Sequence, residues 1–267
     1  MTTGVPFGWT GPAETGAVRG PSAGAPTSHR SIRRDGPVLP APVDPFFVAD
    51  LGYPWRTVGR LDTAAGWATG VLVGPRHVLT AAHVLPWHSQ DPQDGVNGAV
   101  RFVAAAFDAR EPFGVAGAVE FDCLMVTDPP TIDGLEERLD FAVCVLDRPV
   151  GRVTGWMGAK AYRDAWDGVP CWSHLGYRGT HALATRPSYQ SGIALDGHDD
   201  HDDSHQVMYH RADTTPGQSG GPIFGWWAQE SFPSVVAVQS WRGPDVSGAS
   251  GGDRLVELVA RTREQHP

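Results

Sequence analysis

Long apolar runs are missing from this sequence. No stretch reaches the roughly eighteen residues of a membrane-spanning helix, so no membrane partner is expected. Clusters of Lys and Arg are missing too: 21 basic residues stand against 30 acidic ones, a formal charge of −9. A nucleic-acid partner is thereby excluded, because phosphate binding leans on clustered cations. Cysteine is scarce. Cys123, Cys144 and Cys171 are an odd number at spacings that match no zinc or redox motif, so at least one thiol should be free. Buried structural thiols are the favoured expectation, a single disulfide the lesser one. The opening "MTTGVPFGWTGPAETG" has neither a basic nor an apolar signal region, which predicts a cytoplasmic location and leaves secretion by another route open.

What is present changes character along the chain. Residues 1–45 hold eight prolines and seven glycines among few aliphatics, and such a segment buries too little apolar surface to offset its ordering entropy. It reads as a flexible leader: a pro-segment, a linker or a strap. Residues 46–267 read as the folded domain, in which short apolar runs alternate with Gly, Pro and Asp, the punctuation of many strands and turns. Ten candidates stand out: "ATGVLVG", "RHVLTA", "AVRFVAAAF", "VAGAVEFDCLMV", "DFAVCVL", "VPCWSHLGY", "SYQSGIAL", "QVMYHRA", "GPIFGWW" and "SVVAVQSW". Strands spaced this way favour an all-β barrel or paired barrels over an α/β fold. One helix is expected over about residues 252–265, where Leu255, Leu258 and Val259 share a face.

Three stretches carry chemistry. In "VLTAAHVL" a β-rich run gives way to small residues just before His83, which places an imidazole at a strand end. In "LDFAVCVLDRPVG" Asp140 leads into an apolar strand, so its carboxylate is desolvated and needs a partner, which a histidine N–H supplies. In "DTTPGQSGGPIF" Gly217 lets its own N–H and that of Ser219 point into one small cavity, and Gly220 and Gly221 leave room for close strands. Each has an ordinary alternative: a core histidine, a turn aspartate, a tight turn.

Together, in the order His83, Asp140, Ser219 and at separations of 57 and 79 residues, "TAAH", "DFAV" and "GQSGGP" resemble the trypsin-like (chymotrypsin-fold) serine peptidases. The similarity extends over about residues 65–245. It implies two packed six-stranded antiparallel barrels, the first over about 46–150 and the second over about 151–250, with the site in the cleft between them. It also implies a serine endopeptidase with a Ser-His-Asp triad, an oxyanion site at the Gly217 and Ser219 amides, a protein or peptide substrate and no cofactor. Ser240 would then support Asp140, and Trp241 would line the primary pocket. The alternatives are a catalytically idle binding module on the same fold and an esterase-type acyl hydrolase using the same triad.

Departures from the pattern matter. Val84 and Thr215 stand where digestive members carry cysteines, and Gln218 replaces the aspartate that pairs with a newly cut N-terminus. Both features resemble the bacterial V8-like, glutamyl-endopeptidase branch, yet Gln239 occupies the place of that branch's pocket histidine. Substrate-binding candidates are Asp213, Thr214, Gln239, Ser240, Trp241 and Arg242. Asp213 at a pocket base would select basic side chains; Arg242 would either cover Asp213 or receive an acidic side chain. The stretch "DGHDDHDDSH" offers His198, His201 and His205 as metal candidates, beside its reading as an acidic loop whose charge favours basic substrates. A peptidase without a secretory signal needs restraint, and the leader or a regulatory partner is the expected source.

Overall fold

A computed structural model describes residues 36–63, 66–85, 100–124, 137–179, 185–198 and 206–267. Strand β1 (Val43–Phe47) comes first. Strands β2 (Val58–Thr63), β3 (Gly66–Leu72), β4 (His77–Thr80), β5 (Arg101–Ala104), β6 (Val115–Cys123) and β7 (Ala142–Leu146) then close a barrel in the order β2-β3-β4-β7-β6-β5. Every residue of β7 is buried. Its alternation divides the strand between two cores: Ala142, Cys144 and Leu146 fill the barrel interior, while Val143 faces the core shared with the second sheet.

A short helix α1 (Gly151–Thr154) leads into the second sheet. That sheet holds β8 (Gly158–Ala159), β9 (Trp172–Tyr177), β10 (Pro187–Ile193), β11 (Leu195–His198), β12 (Gln206–His210), β13 (Pro222–Gly225), β14 (Ser234–Arg242) and β15 (Ser247–Gly251). Its path is β1-β10-β9-β13-β14-β15-β12-β11, with β8 parallel to β14. The all-β, chymotrypsin-like architecture expected from the sequence is present, with one difference. The hydrogen-bonded path of the second sheet stays open between β10 and β11. Those two strands are one run of chain interrupted at Ala194, so the circuit of six is completed covalently. The cause is a bulge at Gly192, whose φ of 74° shifts the register between Ser191 and Ile193. The strand bends there and exchanges β9 for β12.

The body also begins earlier than residue 46. Val38 is 1% exposed and donates its N–H to Trp226 O at 2.6 Å, Ser191 Oγ donates to Ala41 O, and β1 pairs with β10. Residues 36–45 are therefore a strap on the second sheet rather than free leader; residues 1–35 lie outside the described residues. Helix α2 (Asp253–Gln265) closes the chain, burying Leu255, Leu258, Val259 and Thr262. Among the described residues all three cysteines are free thiols, and burial pushes Cys144 and Cys171 up to about 12.

Candidate active site

The register of β4 against β7 brings the first two residues together. Thr80 lies opposite Ala142 in an antiparallel pair, so the chain leaving β4 meets the chain entering β7 at one end of the barrel. His83 sits there on a single 3-10 turn, Ala82–Val84, and Asp140 directly precedes β7. The carboxylate is 0% exposed. Its Oδ1 accepts from the His83 backbone N–H at 2.9 Å and its Oδ2 from Nδ1 at 2.7 Å. Ser240 Oγ, from β14, donates a very short bond to the same Oδ2. Because a carboxylate only accepts, His83 carries its proton on Nδ1, and Nε2 presents a lone pair.

Ser219 arrives from the second sheet and is docked onto the first barrel by its neighbours. Its carbonyl accepts from Thr69 N–H at 2.9 Å. A methyl on Gly220 would lie 2.1 Å from Thr80 Oγ1 and 2.7 Å from Ala81 N, two residues before His83. The three residues thus share one corner of the cleft. Among the described residues the Ser219 hydroxyl has no hydrogen bond to His83, a contact that often tightens only when substrate is present.

The peptide planes around Ser219 are fixed individually. Pro216 O accepts from Gly179 N–H at 2.6 Å and Gln218 O from Gly221 N–H at 2.8 Å. Since C=O and N–H point opposite ways in a trans peptide, these bonds turn the Gly217 and Ser219 N–H groups away from the protein. Neither amide donates to an acceptor among the described residues. Thr69 Oγ1 donates to Gly217 O at 2.9 Å and accepts from Tyr177 N–H at 2.9 Å, pinning the same loop to both halves of the molecule. Gly217 has φ 92°, and a methyl there would meet Trp67 Nε1 at 2.4 Å, so glycine is required by both backbone and space.

This arrangement matches known proteins. The trypsin-like peptidase domain model fits residues 68–225, more than half the chain. The chain belongs to the trypsin-like peptidase family. A glutamyl endopeptidase of Bacillus licheniformis is 23% identical over 219 residues, covering 79% of this chain; the chain spans 61% of that protein's length. Among solved structures, a Glu endopeptidase in complex with MPD superposes with a TM-score of 0.65 at 18% identity over 83% of this chain and 97% of its own. The protease Anisep from Arthrobacter nicotinovorans gives 0.58 at 18% identity, over 82% and 98%.

In this peptidase-family chain the remaining predicted residues divide. Asp213 has a side chain 60% exposed and pairs with Arg178 Nη2 at 2.8 Å, not with Arg242. Thr214 is buried and shares a 2.8 Å hydroxyl bond with Ser247 of β15. Gln239 is buried, its Nε2 donating to Trp241 O at 2.7 Å and toward Gly248 O at 3.3 Å. Trp241 packs edge-on to Tyr209 and fills the space that glycine leaves at position 248. Arg242 is exposed, stands across from Ser247, and pairs with no carboxylate among the described residues.

Among the described residues no group of three or more His, Cys, Asp and Glu could hold a metal ion. His201 and His205 lie outside those residues, and His198 ends β11 with its backbone opposite Val207. Sequence reasoning missed Thr69, Arg178, Ser247 and a buried histidine pair, His174 and His210. A lone threonine or arginine in a strand carries no signal, and both histidines sit in ordinary apolar runs. Burial lowers His174 to about 3, with His210 and Arg178 adding to the effect. Burial likewise lowers His210 to about 4, with Gln239 opposing it.

Proposed function

We propose that this chain is a serine endopeptidase that cleaves peptide bonds after acidic side chains. The observation that carries the catalytic half is the double grip of the buried Asp140 on His83, at the backbone N–H and at Nδ1. That grip leaves Nε2 as the base. His83 takes the Ser219 proton as Oγ attacks the scissile carbonyl, an acyl-enzyme forms, and the proton passes to the leaving amine. Asp140 stays ionised and stabilises the imidazolium. The Gly217 and Ser219 amides receive the oxyanion, each donor worth about 2.7–4 kcal/mol.

The substrate class rests on charge placement. Asp213 is exposed and already engaged by Arg178 at Oδ2, which weakens its pull on a cationic side chain. Arg242 pairs with no carboxylate among the described residues, and its backbone stands across from Ser247, whose hydroxyl bonds that of Thr214; a guanidinium at that end of β14 is a donor suited to a carboxylate. The relative named for glutamyl specificity supports this reading. A fluorophosphonate should label Ser219 in the folded chain and fail on Ser219→Ala. In a peptide library, cleavage after Glu or Asp is expected, and Arg242→Gln should lower kcat/KM for those peptides by about tenfold or more. Preference for Lys or Arg would overturn the acidic assignment alone; an unlabelled, inert chain would favour the idle binding module. Repeating the profile without residues 1–35 tests restraint by the leader.

A further inference from the structure

Gln218, the residue in front of the nucleophile, is 1% exposed, and its carboxamide is held at both ends. The oxygen Oε1 accepts from Thr215 N–H at 2.8 Å, which decides which end of the amide is which. The nitrogen Nε2 is thereby turned to His174 Nδ1, 3.4 Å away on β9. An NH2 group has only protons to give, so Nδ1 must carry a lone pair and His174 is a neutral imidazole with its proton on Nε2. Two glycines shape the slot. A methyl on Gly176 would lie 3.1 Å from Gln218 Cγ and 3.2 Å from His174 Cε1; one on Gly221 would lie 2.7 Å from His174 Nε2. The charged or titratable groups around the ring are His210 from β12 and Arg178 just after β9, and both disfavour a second proton on it.

The turn that this carboxamide ties off, Thr215 to Gln218, is the one whose peptide planes aim the Gly217 and Ser219 amides. Resting on the peptidase reading above, we infer that His174 is a positioning residue for the oxyanion site, acting as a neutral hydrogen-bond acceptor for Gln218. Its Nδ1 lone pair orients the carboxamide, the carboxamide closes the turn, and the turn presents the two amide donors.

The test is kinetic. His174→Leu fills the slot but offers no acceptor, whereas His174→Asn places its Oδ1 near the position of Nδ1. For a peptide substrate, kcat in His174→Leu should fall about 10- to 100-fold with KM within about twofold, as expected when donors shift by a fraction of an ångström. His174→Asn should recover most of that loss. Near-UV circular dichroism on each variant establishes that it is folded, and if His174→Leu does not fold, Gln218→Met carries the same expectation for kcat. A folded His174→Leu with unchanged kcat overturns the inference, and so does an Asn variant as slow as the Leu variant, since bulk rather than the lone pair would then hold the loop. An active wild type that keeps its activity in Ser219→Ala removes the peptidase reading and this inference together.

Discussion

At the scale of single residues the site is an exercise in fixing protons. Asp140 is fully buried, and three donors surround its two oxygens: His83 N–H, His83 Nδ1–H and the Ser240 hydroxyl. Replacing it by asparagine keeps size and shape but turns an NH2 or a weaker acceptor toward Nδ1, which no longer dictates the tautomer of His83. Asp140→Asn should therefore fold with a circular dichroism spectrum like that of wild type and lose about 10⁴-fold in kcat, as read by steady-state hydrolysis of a peptide ester. In the sequence His83 and Ser219 stood out by their small-residue and glycine contexts, Asp140 by the apolar run it leads into, and their order by the family resemblance. The partner of Asp213 was not legible: its bond is to Arg178, 35 residues away in the string, rather than to Arg242.

Among the secondary elements, ten strands were readable from runs of Val, Ile, Leu and aromatics; β1, β2, β8, β11 and β15 were not, and β15 shows one reason. Its sequence "SGASG" contains no strand former, yet all five residues are buried. The composition answers to close approach: a methyl on Gly251 would lie 2.2 Å from Val236 O, and one on Gly248 would lie 2.3 Å from Trp241 Nε1. Tight packing against β14 has erased the pattern by which strands are recognised. Helix α2 shows the reverse case, since its apolar face was plain from spacing and is the face that is buried. Leu258 is 1% exposed and packs in the core shared by the two sheets. Leu258→Ala should lower the unfolding free energy by about 2–5 kcal/mol, measured by urea denaturation, with little change in kcat at temperatures where the variant stays folded.

At the scale of the whole molecule, three neutral histidines buried among the described residues contribute to its response to acid. Burial is the main cause for each: His77 and His210 lie at about 4 and His174 at about 3, against an ordinary value of 6.5. Below pH 6.5 the unfolded chain takes up protons that the folded chain refuses, so stability is complete above that pH and declines as pH falls toward 4. Between pH 6.5 and 5, above most carboxylate titration, the urea midpoint should drop steadily, at no more than about 1.4 kcal/mol per pH unit for each histidine. His77→Phe, at the start of β4 and packed beside Gly74 and Arg263, should flatten that decline by roughly one histidine's share.

Thr69 has consequences for dividing the chain. It takes a bond from Thr80 Oγ1 within its own barrel, gives two to the Ser219 loop, and accepts one from Tyr177 across the interface. A piece ending before α1 would own the base and the acid; a piece starting after it would own the nucleophile and its anion cradle. On the peptidase reading proposed above, neither piece alone would hydrolyse a peptide, so activity would report whether the two halves have met.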